Sequence, residues 1–238
     1  MAELKLDFVI VTTGRTGSSH LVSLVDSHPD ARCFLEPFNP SAPDYTFQNS
    51  PHDDPMAYLD ELTEAVEERM VGFKLPWGSL HEVPELFPLL RDPALRVLHL
   101  VRRDRLRQYL SIELAHATGI WHSYDGLQPP TRVRLDPDTY VAWVKGAVVA
   151  DAVLAELAHG HPHLTIEYEE LGRVDRQEAA LEMLGLPVRA LRSDYVRVTA
   201  PRGHISDVIV NWEEFVEAVR QSPAAWTLGS HGAFSDAA

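Results

Sequence analysis

A single cysteine, Cys33, is all that this chain of 238 residues contains. An intramolecular disulfide is therefore excluded, as is a zinc site built on several thiolates, and a reducing cytoplasm is the expected compartment. No apolar run approaches the roughly 20 residues of a membrane span. The opening segment has no basic stretch ahead of a long apolar one and no small-residue cleavage site, so it does not read as a signal peptide. Cations are scarce: 21 Lys and Arg stand against 35 Asp and Glu, a formal charge of −14. That balance argues against nucleic acid as a partner. The chain has no His-Glu-x-x-His pattern, no Gly-x-Ser-x-Gly elbow and no evident carboxylate cluster. Metalloprotease and serine-hydrolase chemistry therefore find no motif, and no metal is expected. One tract, His159-Gly160-His161-Pro162-His163, alternates histidines as some metal-binding segments do. Gly160 and Pro162 read instead as a helix stop and a turn, so the tract is expected to be a solvated loop.

What is present suits a sizeable core. Hydrophobic residues make up 45% of the chain, which fits one large α/β domain over residues 1–228, with 229–238 as a frayed tail. Strand-like segments fall at Leu6–Thr12, Met70–Leu75, Arg96–Val101 and Leu164–Tyr168. Helix-like segments fall at Ser18–Ser27, Pro55–Arg69, Arg105–Ala117, Pro137–His159, Arg176–Leu184 and Trp212–Arg220. Their alternation predicts a mostly parallel central sheet in a three-layer α/β/α arrangement. Pro-rich stretches at Pro37–Pro55 and Gln128–Pro137 read as loops at the rim of a site.

The most informative segment is Val9-Ile10-Val11-Thr12-Thr13-Gly14-Arg15-Thr16-Gly17-Ser18-Ser19-His20-Leu21. An apolar strand runs into a small-residue loop, and a helix follows. Such a junction makes an anion cradle: backbone N–H groups converge, hydroxyls add donors and Arg15 adds charge. A plain Gly-rich turn between strand and helix is the structural alternative. The loop is not a Walker A sequence, because no Lys follows Gly17 and the cation precedes it. An ordinary ATPase or GTPase is therefore disfavoured. A second cationic cluster gathers Arg91, Arg96, Arg102, Arg103, Arg105 and Arg107. Within it an apolar strand, Arg96–Val101, runs straight into Arg102-Arg103-Asp104-Arg105. The C-terminal ends of parallel strands are where open α/β sheets bind ligands. Arg103 and Ser111 lie eight residues apart, roughly two helical turns. Arg105 and Arg107 are expected on the solvated face of the helix.

The order Arg15-Thr16-Gly17-Ser18-Ser19 resembles the 5′-phosphosulfate loop of sulfotransferases that use 3′-phosphoadenosine 5′-phosphosulfate (PAPS). Arg103 and Ser111 resemble the pair with which that family holds the 3′-phosphate. The run R-R-D-x-x-x-Q-x-x-S is close to the bacterial subgroup that includes trehalose sulfotransferases. Gly72-Phe73-Lys74, Tyr168-Glu169-Glu170-Leu171 and Arg202-Gly203-His204 with Asn211-Trp212 resemble further family segments, in the family's order. Two departures stand out: Gly14 where the family usually has Pro, and His20 where Trp or Leu is common.

The resemblance implies a P-loop-like fold and a cytoplasmic enzyme whose co-substrate is PAPS and whose product is PAP, without a metal. It implies binding by Gly14, Arg15, Thr16, Gly17, Ser18, Ser19, Arg103, Ser111, Arg202 and Gly203. The acceptor expected is a small-molecule hydroxyl on a sugar, phenol or natural-product alcohol, with no membrane partner. Related bacterial enzymes form dimers, so a homodimer is left open. For the base, Glu36 in Cys33-Phe34-Leu35-Glu36-Pro37-Phe38 matches the glutamate proposed in the trehalose subgroup. Burial among apolar neighbours would raise its pKa from about 4.3 toward neutrality; a carboxylate merely capping a turn is the alternative. Arg15 is expected on the departing phosphate oxygens, and Lys74 on the transferring group unless it snorkels from its strand end. Among 12 histidines, His20 ranks as the second candidate base and His99 as a satisfied core residue. Phe34–Phe38, the Pro37–Pro55 loop, Trp77 and Trp121–Pro130, with Tyr45, Phe47 and Tyr124, are expected to wall the acceptor. Rival readings are a P-loop-like small-molecule kinase, a non-catalytic PAP- or nucleotide-binding protein, and a scaffold that associates through the Pro137–His159 helix.

Overall fold

Five short segments form one sheet, and every pairing in it is parallel. The computed structural model describes residues 5–39, 54–121, 131–194 and 204–232. The strands are β1 (Phe8–Thr12), β2 (Ala31–Phe34), β3 (Met70–Pro76), β4 (Arg96–Val101) and β5 (His163–Glu167). Their spatial order is β2-β3-β1-β4-β5. β1 is central, and all five of its residues are buried. A strand covered on both faces reads as a continuous apolar run, which Phe8-Val9-Ile10-Val11 is.

The helices are α1 (Ser18–Asp26), α2 (Pro55–Glu64), α3 (Trp77–Glu82), α4 (Arg105–Thr118), α5 (Pro137–His159), α6 (Val174–Leu184) and α7 (Trp212–Arg220). Successive strand residues point to opposite faces, and the core divides accordingly. Phe8 and Ile10 pack with Leu21, Val22 and Val25 of α1 and with Leu181 and Leu184 of α6. Val9 and Val11 pack with Tyr58 and Leu59 of α2, Leu80 of α3, and Leu154 and Ala158 of α5. This is the expected helix–sheet–helix layering. Gly72 is forced by close pairing, since a Cβ there would fall 2.5 Å from the Phe8 carbonyl oxygen.

The chain falls into two compact units, Met1–Val101 with Ala150–Tyr195, and Arg102–Val149 with Val196–Ala238. The sheet belongs wholly to the first unit. The second is helical and centres on the fully buried Tyr140, whose ring meets those of Tyr109 at 5.2 Å and Phe215 at 5.3 Å. The Tyr140 hydroxyl donates to Thr227 Oγ1 at 2.6 Å, and burial pushes its pKa up to about 12. A 3-10 run over Ala225–Gly232 takes in the first residues of the expected tail; the remainder of that tail lies outside the described residues. Among the described residues no helix is long and apolar enough to cross a membrane.

The strand and helix predictions hold closely, except that α2 ends at Glu64 rather than Arg69 and that the short elements β2 and α3 and a 3-10 run over Pro84–Arg91 are missing from them. β2 has only four residues, including Arg32, too few to show alternation. α3 follows Pro76 directly and spans six residues, below the length at which helical periodicity is visible.

Candidate active site

The loop after β1 leaves the C-terminal end of the central strand, where ligands of parallel sheets bind. Gly14, Arg15 and Gly17 all have positive φ, at 87°, 51° and 82°. Arg15 is the one non-glycine residue with positive φ among the described residues, a conformation that costs on the order of 1–2 kcal/mol. Left-handed residues among right-handed ones turn successive N–H groups toward a common centre. Gly17 is demanded twice over, by its φ and by space: a Cβ would lie 2.7 Å from the Tyr168 ring and 2.8 Å from Leu171. Tyr168-Glu169-Glu170-Leu171 thus supports the loop from below. The fully buried Thr16 joins its hydroxyl to that of Thr12 at the end of β1. α1 then starts with neither a side-chain cap nor an acidic residue in its first turn, which leaves its positive end suited to an anion. The Gly14 φ is closed to proline. The departure from the family pattern therefore gives the loop a backbone path that the usual residue cannot follow.

Behind this loop three polar side chains form a chain. Lys74 of β3 is 3% exposed and donates to Ser19 Oγ at 3.1 Å. The same ammonium is ion-paired with Glu36. Asn39, unnoticed in the sequence, donates its amide to the other Glu36 oxygen, and its backbone N–H donates to the Glu36 carbonyl at 3.0 Å. The sheet explains the meeting. β2 and β1 flank β3, so the turn after β2 and the loop after β1 both lie beside Lys74. Lys74 is no snorkelling strand-end residue, since β3 continues to Pro76. Chemically, this part of the site offers a carboxylate beside an ammonium that also touches the anion loop.

His20 sits in the first turn of α1 with Nδ1 2.8 Å from Ser193 Oγ. Ser23 Oγ accepts from the Asp194 N–H and Ser27 Oγ from the Arg192 N–H, each at 3.0 Å. One face of α1 therefore holds residues 192–194 along the helix.

Arg103 and Ser111 belong to the second unit. Arg103 is exposed and Ser111 is half-buried on α4. Arg105, expected on the surface, is instead buried and donates to Gln108 Oε1 at 2.8 Å. Gln108 is fully buried, so the Gln of the R-R-D-x-x-x-Q-x-x-S run anchors an arginine. Asp104 caps α4 by accepting from the Arg107 N–H at 2.9 Å. Asn211 exchanges two hydrogen bonds with the Leu135 backbone, at 3.0 and 2.9 Å. Arg202, Gly203, Tyr45, Phe47 and Tyr124 lie outside the described residues.

Two histidine expectations change. His99 is buried, but neither ring nitrogen has a hydrogen-bond partner among the described residues. Burial holds its pKa below the ordinary 6.5, while Asp151 pulls the other way and His163 and His159 add to the lowering. In the tract expected to be solvated, His161 is buried. Its Nδ1 lies 3.1 Å from the Leu95 carbonyl and its Nε2 2.9 Å from that of Leu90, so it pins the entry to β4. Among the described residues no three His, Cys, Asp or Glu side chains converge as metal ligands. The expected aromatic wall is in part core: Phe38 meets Tyr58 and Phe73 edge to face at 5.5 and 6.0 Å, and Trp77 packs against the same cluster.

No protein-family profile matches the chain. Three curated relatives carry the name nodulation protein H. One from Rhizobium meliloti is 29% identical over 201 residues, 77% of this chain and 79% of the relative. That from Rhizobium tropici is 28% identical over 228 residues, 90% of this chain and 88% of the relative. Among solved structures, a sulfotransferase from Alicyclobacillus acidocaldarius aligns over 97% of this chain and 96% of its own, with a TM-score of 0.55 and 17% identity. The helix-flanked, all-parallel sheet of this protein is thus the fold of that sulfotransferase.

Proposed function

We propose that this protein is a sulfotransferase that moves a sulfuryl group from PAPS to the hydroxyl of a small-molecule acceptor. The observation that carries the reading is Lys74, which joins Glu36 to Ser19 of the anion loop. A base and a buried cation thereby stand beside a loop shaped for a phosphate group. A solved structure that shares this fold is a sulfotransferase, which supports the reading.

The residues present fit the co-substrate. The N-terminus of α1, Arg15, Thr16, Ser18 and Ser19 suit the 5′-phosphosulfate end, and the spacing of Arg103 and Ser111 suits the 3′-phosphate. Arg202 and Gly203 keep their assignment as nucleotide contacts by resemblance. PAPS supplies an activated sulfur whose leaving group is a phosphate. Glu36 takes the proton of the acceptor hydroxyl as the acceptor oxygen bonds to sulfur and the sulfur–phosphate oxygen bond breaks. Arg15 and the loop N–H groups meet the charge left on the departing phosphate, and Lys74 steadies the group in transit. By analogy with phosphoryl transfer, such fixed charges carry most of the acceleration.

Isothermal titration with PAP, beside ADP and ATP without magnesium, tests the binding half. Tight PAP binding and weak ADP binding are expected; ATP binding as well as PAP, strengthened by magnesium, would overturn the reading in favour of a kinase. Release of PAP from PAPS in the presence of hydroxyl acceptors tests the chemical half. Glu36→Gln is expected to keep PAP affinity and lose turnover, whereas full turnover in that variant removes Glu36 as the base.

A further inference from the structure

Glu36 has a long side chain, and it can serve as a base only if its torsions are fixed. The backbone beneath it is held first. Leu35, Glu36, Pro37 and Phe38 are all buried. Glu36 opens a turn that the Asn39 N–H closes on the Glu36 carbonyl at 3.0 Å, with Pro37 in the second position, where its fixed φ is favoured. Phe38 keys the turn into the core through the rings of Tyr58 and Phe73. The Tyr58 hydroxyl donates to the Pro37 carbonyl at 3.4 Å. Phe73 and Lys74 are neighbours on β3 and point to opposite faces, so β3 meets the turn on one face and the carboxylate on the other.

The carboxylate is then held at both oxygens. Lys74 pairs with Oε1, and Asn39 donates its side-chain amide to Oε2. The two holders differ in kind. The Lys74 ammonium has other demands on it: it donates to Ser19 Oγ at 3.1 Å, and in the proposed transfer it meets the group in transit. Asn39 is neutral, so it aims the carboxylate without adding a second positive charge to oppose proton uptake. An aspartate would satisfy the same turn, but it would set a second negative charge against Glu36. Asn39 thus grips Glu36 twice, once through its backbone and once through its side chain, and the second grip is not one the turn needs.

We infer that Asn39 is a positioning residue for the base: its amide keeps the Glu36 carboxylate in one orientation while the Lys74 charge serves the transferring group. The inference rests on the sulfotransferase reading.

PAP release from PAPS by the intact chain, with water, glucose or phenol as acceptor, tests it. Asn39→Ala is expected to keep PAP affinity within about twofold and to lower kcat about tenfold to a hundredfold. Asn39→Asp keeps the size and the turn preference. It should nonetheless be slower still, with the acid limb of its kcat–pH profile moved to higher pH; a residue that only closed the turn would tolerate aspartate. The 13C resonance of the Glu36 side-chain carboxyl, assigned by its loss in Glu36→Gln, needs no turnover. Its titration should move to higher pH in Asn39→Ala and further in Asn39→Asp. Wild-type kcat in Asn39→Asp, or a carboxyl titration unmoved in both variants, overturns the inference and leaves the sulfotransferase reading standing. A wild-type chain that binds PAP no better than ADP and releases none from PAPS overturns that reading, and the role of Asn39 in transfer with it.

Discussion

Replacing Lys74 by Met keeps the aliphatic length and removes the ammonium. The ion pair it breaks is buried, with Lys74 and Glu36 side chains 3% and 11% exposed. Little solvent screens the pair, and once the ammonium is gone little solvates the carboxylate. Removing one partner of a buried pair costs about 3–5 kcal/mol, chiefly because the other charge is stranded. Asn39 still donates to Glu36, so the lower end, about 3 kcal/mol, is expected. Glu36→Gln alone also destabilises, since Lys74 is left with Ser19 and a neutral amide. The double variant Glu36→Gln/Lys74→Met removes both charges and should lose less than either single change. Urea unfolding at neutral pH, read as a shift in midpoint at constant slope, measures all three. If Lys74→Met stays within about 0.5 kcal/mol of wild type, the range of an ordinary surface change, or if the two single losses simply add, the buried pair is not what holds this part of the site together.

Gly17→Ala should abolish PAP binding and destabilise by about 2–4 kcal/mol, because strain at positive φ adds to the clash with Tyr168 and Leu171. Gly14→Ala, with nothing within 4 Å of its Cβ, should cost only about 1 kcal/mol; equal losses would refute the packing role of Gly17. Burial holds the His99 pKa lower in the folded protein than in the unfolded chain, so below about pH 6.5 the unfolded state binds more protons there. Its contribution is therefore complete above that pH and lost as the pH falls, by up to about 1.4 kcal/mol per unit. Melting temperatures between pH 7 and 5 should fall less steeply in His99→Leu than in wild type, and parallel curves exclude His99 as the group responsible. His161→Phe removes the ring N–H that a neutral imidazole can donate to one of the two buried carbonyls it touches, those of Leu90 and Leu95, and should cost about 1–3 kcal/mol; an unchanged urea midpoint would show that the ring donates to neither.

The layering and most element boundaries were legible because they rest on local signals. Phe8-Val9-Ile10-Val11 is apolar on both faces, and α5 keeps its three-to-four spacing for six turns. The anion loop was legible for the same reason, since glycines and hydroxyls at a strand–helix junction are adjacent in sequence. Pairs across the sheet were not. Lys74 and Glu36 are 38 positions apart, and only the parallel register of β2, β3 and β1 brings them together. Asn39 carried no signal, because one amide after an aromatic turn looks like any loop residue. Charge misled at Arg105, where a buried glutamine three residues on takes the guanidinium in. His161 misled by its neighbours: Gly160 and Pro162 do mark a turn, yet the side chain between them points inward.

The sheet has a consequence for synthesis on the ribosome. β5 and α6, which complete the edge beside β4 and the core under β1, lie beyond the whole excursion from Arg102 to Val149. A nascent chain that has emerged as far as Val101 has four of the five strands, with Leu98 and Leu100 lacking Ile166, Leu181 and Leu184 to cover them. The β4 edge must wait some sixty residues for its partner. Until then its amides and apolar side chains are open to any passing strand. Ribosome stalling or premature termination between Arg102 and Pro162 should therefore leave an aggregation-prone fragment, and refolding of the intact chain should be limited by the late docking of β5.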